Sequence, residues 1–94
     1  MTIETTTRVT RVGGLMTTSV DNDLIILNMK TSKYIGLNDI GRRIWELLET
    51  PILVIEICRQ LSSEFSAPPS QIEMDVITFL NELQIEELLH VVDV

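Results

Sequence analysis

The apolar positions of this chain change period along its length, and the elements follow from those changes. Leu24, Ile25, Ile26 and Leu27 form a short aliphatic run. A run of that length between turn residues favours a strand over a helix. Residues 28–32 (NMKTS) are mostly polar and reverse the chain, and KYIGL at 33–37 returns as a second strand. Upstream, LMTTSV at 15–20 is β-prone, and Asp21, Asn22 and Asp23 supply turn chemistry. Connections this short exclude crossovers, so the three strands predict an antiparallel meander. Its last strand is an edge, because nothing downstream has the pattern to pair with it.

A helical period takes over at Asn38, which suits an N-cap. Ile40, Ile44, Leu47 and Leu48 recur at helical spacing, predicting a helix over 39–49 that Thr50-Pro51 ends. Gly41 in its first turn predicts close backbone packing there. Val54, Ile57, Leu61 and Phe65 form the stripe of a second helix, whose start lacks a Ser, Thr, Asp or Asn cap. Residues 66–69 (SAPP) break the chain. Residues 70–73 (SQIE) have the form of a capping box, predicting the start of a third helix. Its apolar face is Ile72, Val76, Phe79, Leu80 and Leu83. At about 100° per residue, Asp75, Glu82 and Glu86 share one flank of that face. Residues 88–94 read as a short strand or a ragged extension. The Thr-rich residues 1–11, with Ile3 and Val9 as isolated apolar positions, predict a mobile arm or a weak edge strand. Gly13-Gly14 marks a bend, so the domain is expected over 15–94 with 1–14 outside it.

Composition narrows the picture. Ninety-four residues, 45% of them hydrophobic, suffice for one domain with a modest core. With 14 acidic and 7 basic side chains the net charge is -7, which argues against neutralising a phosphate backbone. A basic or neutral partner fits better. No apolar run reaches the roughly 20 residues of a membrane span. The N-terminus has no secretory h-region. Cys58 is the only cysteine. No internal disulfide can form, and a reducing, cytoplasmic compartment is expected.

Catalytic chemistry is hard to assemble from these residues. His90 is the only histidine, so Cys58 has no second one to activate it as a nucleophile. One Cys and one His far apart do not make a zinc site, and no phosphate-binding loop is present. No metal or other cofactor is expected. Trp45 suits a core role. Tyr34 suits either packing on its own sheet or contact with a bound peptide. The acidic flank of the third helix has two readings: a solvated face, or a surface that meets a basic residue of a peptide. The edge strand also has two. Lys33 and Gly36 can discourage self-pairing. The same free backbone groups can accept a guest strand, with Phe79 and its neighbours as an apolar floor where the third helix lies alongside.

The segments Y-I-G-L-N-D-I-G-R-R-I-W-E-L-L (34–48) and D-V-I-T-F-L-N-E-L (75–83) resemble the PqqD family, and the likeness extends over about residues 15–89. The short chain with no fused enzyme is most similar to the stand-alone branch found with lasso peptides. The resemblance implies an α+β, winged helix-turn-helix-like fold, with a three-stranded antiparallel sheet followed by three helices. It implies a non-catalytic recognition element that docks the leader of a ribosomally made precursor peptide as an extra strand. On this chain that places the site at Lys33, Tyr34, Ile35, Gly36 and Leu37, with Asp75, Val76, Phe79 and Glu82 of the third helix. It further implies presentation of the precursor to a leader peptidase, a transglutaminase-like cysteine protease, and to a cyclase.

Three positions depart from the family pattern. The hairpin turn lacks Pro and Gly, Leu53 stands where Thr or Ser usually starts the second helix, and Glu87 stands where Gly usually follows the third. Two other functions remain open. A DNA-reading winged helix would need Lys or Arg on its reading helix, and residues 71–86 contain neither. A homodimer would use the same free edge.

Overall fold

The computed structural model describes residues 3–21 and 23–92. Residues 1–2 of the expected arm, Asn22 of the expected turn and residues 93–94 of the C-terminal extension lie outside them. In chain order the elements are β1 (Arg8–Arg11), β2 (Met16–Val20), β3 (Asp23–Asn28), β4 (Lys33–Leu37), α1 (Asp39–Leu47), β5 (Ile52–Leu53), α2 (Val54–Glu64), α3 (Pro69–Ile85) and β6 (Leu89–Val91). The expected α+β architecture holds: an antiparallel meander β2-β3-β4 precedes three helices. A second antiparallel sheet, ordered β5-β1-β6, was not expected. No helix among the described residues is long and apolar enough to cross a membrane.

The second sheet corrects the reading of the N-terminal arm. Residues 8–11 are the central strand, with Val9 opposite Ile52 on one side and Val91 on the other. The two isolated apolar positions explain this: Ile3 and Val9 are both buried in the core. The arm's polar backbone is equally occupied. Thr7 and Thr5 carbonyls accept from the Val54 and Ile55 N–H groups, at 2.9 and 3.0 Å. Those are the orphan donors at the start of α2, where Leu53 provides no side-chain cap. At the end of α1, the Leu48 carbonyl accepts from the Thr10 hydroxyl (2.8 Å) and the Arg11 N–H (3.0 Å). The Arg11 guanidinium donates to the Trp45 carbonyl at 3.1 Å and stands over the indole ring. An arm that reads as loose in sequence thus terminates two helices.

The helix ends show which local signals prevail. Asn38 caps α1 as expected, its side-chain oxygen accepting from the Gly41 N–H at 2.9 Å. The expected capping box at 70–73 does not form. The chain enters α3 earlier, with Pro68 at the N-cap and Pro69 at the first helical position. Proline there is pre-set for helix and lacks only a donor that would be orphaned anyway. The Pro68 carbonyl then accepts from Gln71 and Ile72. At the other end, Glu87 takes the left-handed conformation (φ 61) that glycine usually fills. The Leu88 N–H donates to the Leu83 carbonyl and Glu87 N–H to Gln84, a Schellman closure. Leu83 and Leu88 are both fully buried, which supplies the apolar contact that accompanies this motif.

The core lies between the α2–α3 pair, which pack together, and α1, which packs on β3 and β4. Ile26, Leu37, Ile44, Leu48, Val54, Ile57, Leu61, Val76, Leu80 and Leu83 form its centre. Aliphatic packing dominates, with Trp45 as its buried aromatic.

Candidate functional site

In β3 and β4 the alternation of side chains fixes which residues face inward. Leu24 opposes Leu37, Ile26 opposes Ile35 and Asn28 opposes Lys33. Ile26, Asn28 and Leu37 are buried, and Ile35 packs against the core from its rim. Tyr34 and Gly36 alternate with these and are exposed. Among the described residues, no strand pairs with the outer edge of β4. Its unpaired backbone groups therefore face outward for the length of the strand.

Beside that edge runs the last part of α3. Ser32, Lys33, Tyr34 and Ile35 line one side of an open groove of about 520 Å³, and Glu82, Ile85 and Glu86 line the other. Ile85 and Tyr34 are the two most exposed large hydrophobic side chains among the described residues, at 78% and 73%. Both belong to this one groove. Isolated exposed apolar residues are ordinary, but two on the rim of one concavity beside a free strand edge are a directed feature.

Asn28 holds the groove's walls together. It is the one buried polar residue among those described. Its side-chain amide donates to the Glu86 carbonyl at 3.1 Å, and its side-chain oxygen accepts from the Lys30 N–H at 3.0 Å. The β3–β4 turn is thereby tied to the end of α3. A looser contact spans the same end: Lys33 Nζ lies 3.8 Å from a Glu86 carboxylate oxygen, with the lysine side chain 67% exposed. At that exposure and distance the ion pair contributes little to stability.

The residues expected at the site divide into two groups. Lys33, Tyr34, Ile35 and Glu82 line the groove together, and Gly36 and Leu37 continue the same strand, Leu37 with its side chain in the core. Three helix positions lie elsewhere. Val76 is fully buried and packs in the core. Phe79 is half-buried, its ring against the first turn of α1 near Gly41. Asp75 accepts a hydrogen bond from Gln71 and borders a small crevice with Ile40 and Phe65. The floor expected from Phe79 is provided instead by Ile35, with Ile85 as the rim. Ile85 went unnoticed in the sequence because it lies off the apolar stripe. An isoleucine among glutamates on the polar flank was the available signal.

Cys58 and His90 both lie away from this groove. Among the described residues, no three His, Cys, Asp or Glu side chains are placed to hold a metal ion. Cys58 is buried, and its burial, with the nearby Glu73 carboxylate, pushes the thiol pKa up. That favours the neutral thiol over the nucleophilic thiolate. His90 is exposed on β6.

Fold and edge together define a class: a small α+β domain that leaves one strand of an antiparallel meander open beside its last helix. The chain belongs to the PqqD family (Coenzyme PQQ synthesis protein D), whose model matches residues 23–89. Two solved structures are similar. One is TbiB1 in complex with the TbiA(beta) leader peptide, 31% identical over 86% of this chain and 94% of that one, with a TM-score of 0.76. The other is the solution structure of the PqqD truncation of Methylobacterium extorquens PqqCD, described as a stand-alone recognition element for ribosomally synthesized and post-translationally modified peptides. It is 19% identical over 94% of both chains, with a TM-score of 0.77, and shares the fold. No curated protein matches the chain.

Proposed function

We propose that this chain is a non-catalytic recognition module that binds the leader segment of a ribosomally made precursor peptide. The leader adds a strand to Lys33–Leu37 and lies in the groove against α3. Main-chain hydrogen bonds give such a complex its affinity, and the groove's side chains give it selectivity. The observation that carries this reading is the coincidence of a free strand edge with a groove holding the two most exposed large apolar side chains. Membership of the PqqD family supports it, as does the leader peptide bound by TbiB1. The finer reading is that the module serves lasso-peptide maturation and presents its precursor to a leader peptidase and a cyclase.

The test uses a fluorescent synthetic TbiA(beta) leader and peptides selected against the chain from a displayed random library. Bound peptide should slow amide exchange in residues 33–37 and leave β2 unchanged. Replacing the exposed rim residue, Ile85→Asp, should weaken binding about tenfold or more with the melting temperature unchanged. Protection centred away from β4, or full affinity in the folded variant, would remove the proposed docking strand.

A further inference from the structure

The groove's two walls differ in charge. Glu82 and Glu86 stand on the helix wall, and among the described residues Lys33 is the only cation lining the groove. Lys33 lies against Glu86, whereas Glu82 makes no salt bridge among the described residues. The whole chain carries a net charge of -7, so its long-range field also draws cations toward an unpaired carboxylate. Between the two glutamates, Ile85 is 78% exposed, and Ile35 lies across from it.

Spacing converts this into a sequence preference. Glu82 and Ile85 are three residues apart, about 4.5 Å of rise and about 60° of turn, which at a side-chain radius of about 5–6 Å separates their positions by about 7 Å. Alternate residues of an extended strand, which share a face, advance about 6.6–6.8 Å. Neighbouring same-face side chains of a docked strand can therefore meet the Glu82 position and the Ile35–Ile85 position in turn. We propose that the occupant carries a lysine or arginine opposite Glu82 and, two residues away, an apolar side chain seated on Ile35 and Ile85. This rests on the docking reading above and adds the chemistry of the guest. Acidic side chains alone would not define a site. Here the free edge and the apolar rim supply the docking surface, and the glutamate selects within it.

The experiment selects 12-residue peptides from a displayed random library against the wild-type chain and against Glu82→Lys. Glu82 is exposed, so the variant should fold, which a thermal melt checks. Wild-type binders should be enriched in Lys or Arg two positions from an apolar residue. In Glu82→Lys the same position should turn to Asp or Glu. A wild-type binder should lose about tenfold in affinity to Glu82→Lys and less to Glu82→Gln, with the difference shrinking in 1 M salt. Binders that protect β4 and are lost in Ile85→Asp, yet show no basic enrichment and ignore Glu82→Lys, would overturn the charge preference and leave the docking site standing. Failure to select any binder, or binders indifferent to both β4 and Ile85, would overturn the docking site and the preference with it.

Discussion

The sheets β5-β1-β6 and β2-β3-β4 have the same number of strands and the same antiparallel pairing, but they treat their edges differently. The first has edges of two and three residues, Ile52–Leu53 and Leu89–Val91. Edges so short offer little to a passing chain. Its central strand is tied to both neighbours, and the adjoining arm residues also bond to the ends of α1 and α2. The second sheet has edges of five residues each. One of them, β4, runs beside a helix with an apolar rim. One sheet closes the fold and the other displays a surface. Hydrophobic content does not separate the two roles, since β1, with Val9 as its one apolar residue, is the strand locked inside. The separation lies in where each strand's backbone groups are satisfied.

The largest test of this contrast removes residues 1–11. Ile3 and Val9 are buried, and losing side chains of this kind costs about 2–5 kcal/mol each. The end of α1 and the start of α2 lose their partners as well. Against a typical total of about 5–15 kcal/mol, the truncated chain should lose its cooperative thermal transition. A truncated chain that melts like the full one would show the arm to be dispensable and the contrast empty.

A smaller effect is expected where the displaying sheet is tied to the helix. Asn28→Ala leaves the Glu86 carbonyl and the Lys30 N–H without their side-chain partner. Denaturant titration should register a loss of about 1–3 kcal/mol. Peptide affinity should fall beyond what unfolding explains, because the groove's two walls are no longer fixed to each other. A stability loss with unchanged affinity would make Asn28 a packing residue only.

The smallest effect concerns a pair remote from both sheets. Arg43 on α1 forks onto Glu64 on α2, with contacts of 2.8, 3.0 and 3.1 Å. The hydrogen bonds from Arg43, with help from Gln60, hold the Glu64 carboxyl below its ordinary pKa. A carboxyl whose folded pKa is depressed stabilises fully above the unfolded value, about 4.3 for Glu. That stabilisation is lost as the pH falls through the folded pKa. Glu64→Gln should therefore lower stability slightly near neutrality, where the carboxylate's contribution is present, and flatten the acid limb below about pH 4, where the two proteins converge. An acid limb as steep as wild type would assign the loss to other carboxylates.

Much of the displaying sheet was legible, because Leu24–Leu27 and KYIGL are dense in apolar and β-prone residues joined by a short turn. The capped start of α1 was legible for a similar local reason. The closing sheet was not. Its strands are two to four residues long, and their partners are at least 40 positions away in sequence or beyond. No local pattern announces such pairings. The third helix was legible as a helix and in its end, but its start was misread. Two prolines outcompeted a serine for its start, and buried Leu83 and Leu88 hold Glu87 in a conformation that propensity disfavours. The free edge at β4 could be located by elimination. The facing positions could not, because whether α3 turns 75–79 or 82–86 toward the groove depends on how it crosses the sheet.

The Val92 N–H donates to the Arg8 carbonyl at 2.8 Å, so the polypeptide leaves the described fold beside the start of β1, five residues after the first described one. Adjacent ends of this kind tolerate circular permutation and insertion into a host. A larger protein can carry such a cassette in a surface loop, stitched at both sides, with the β4 edge left unpaired.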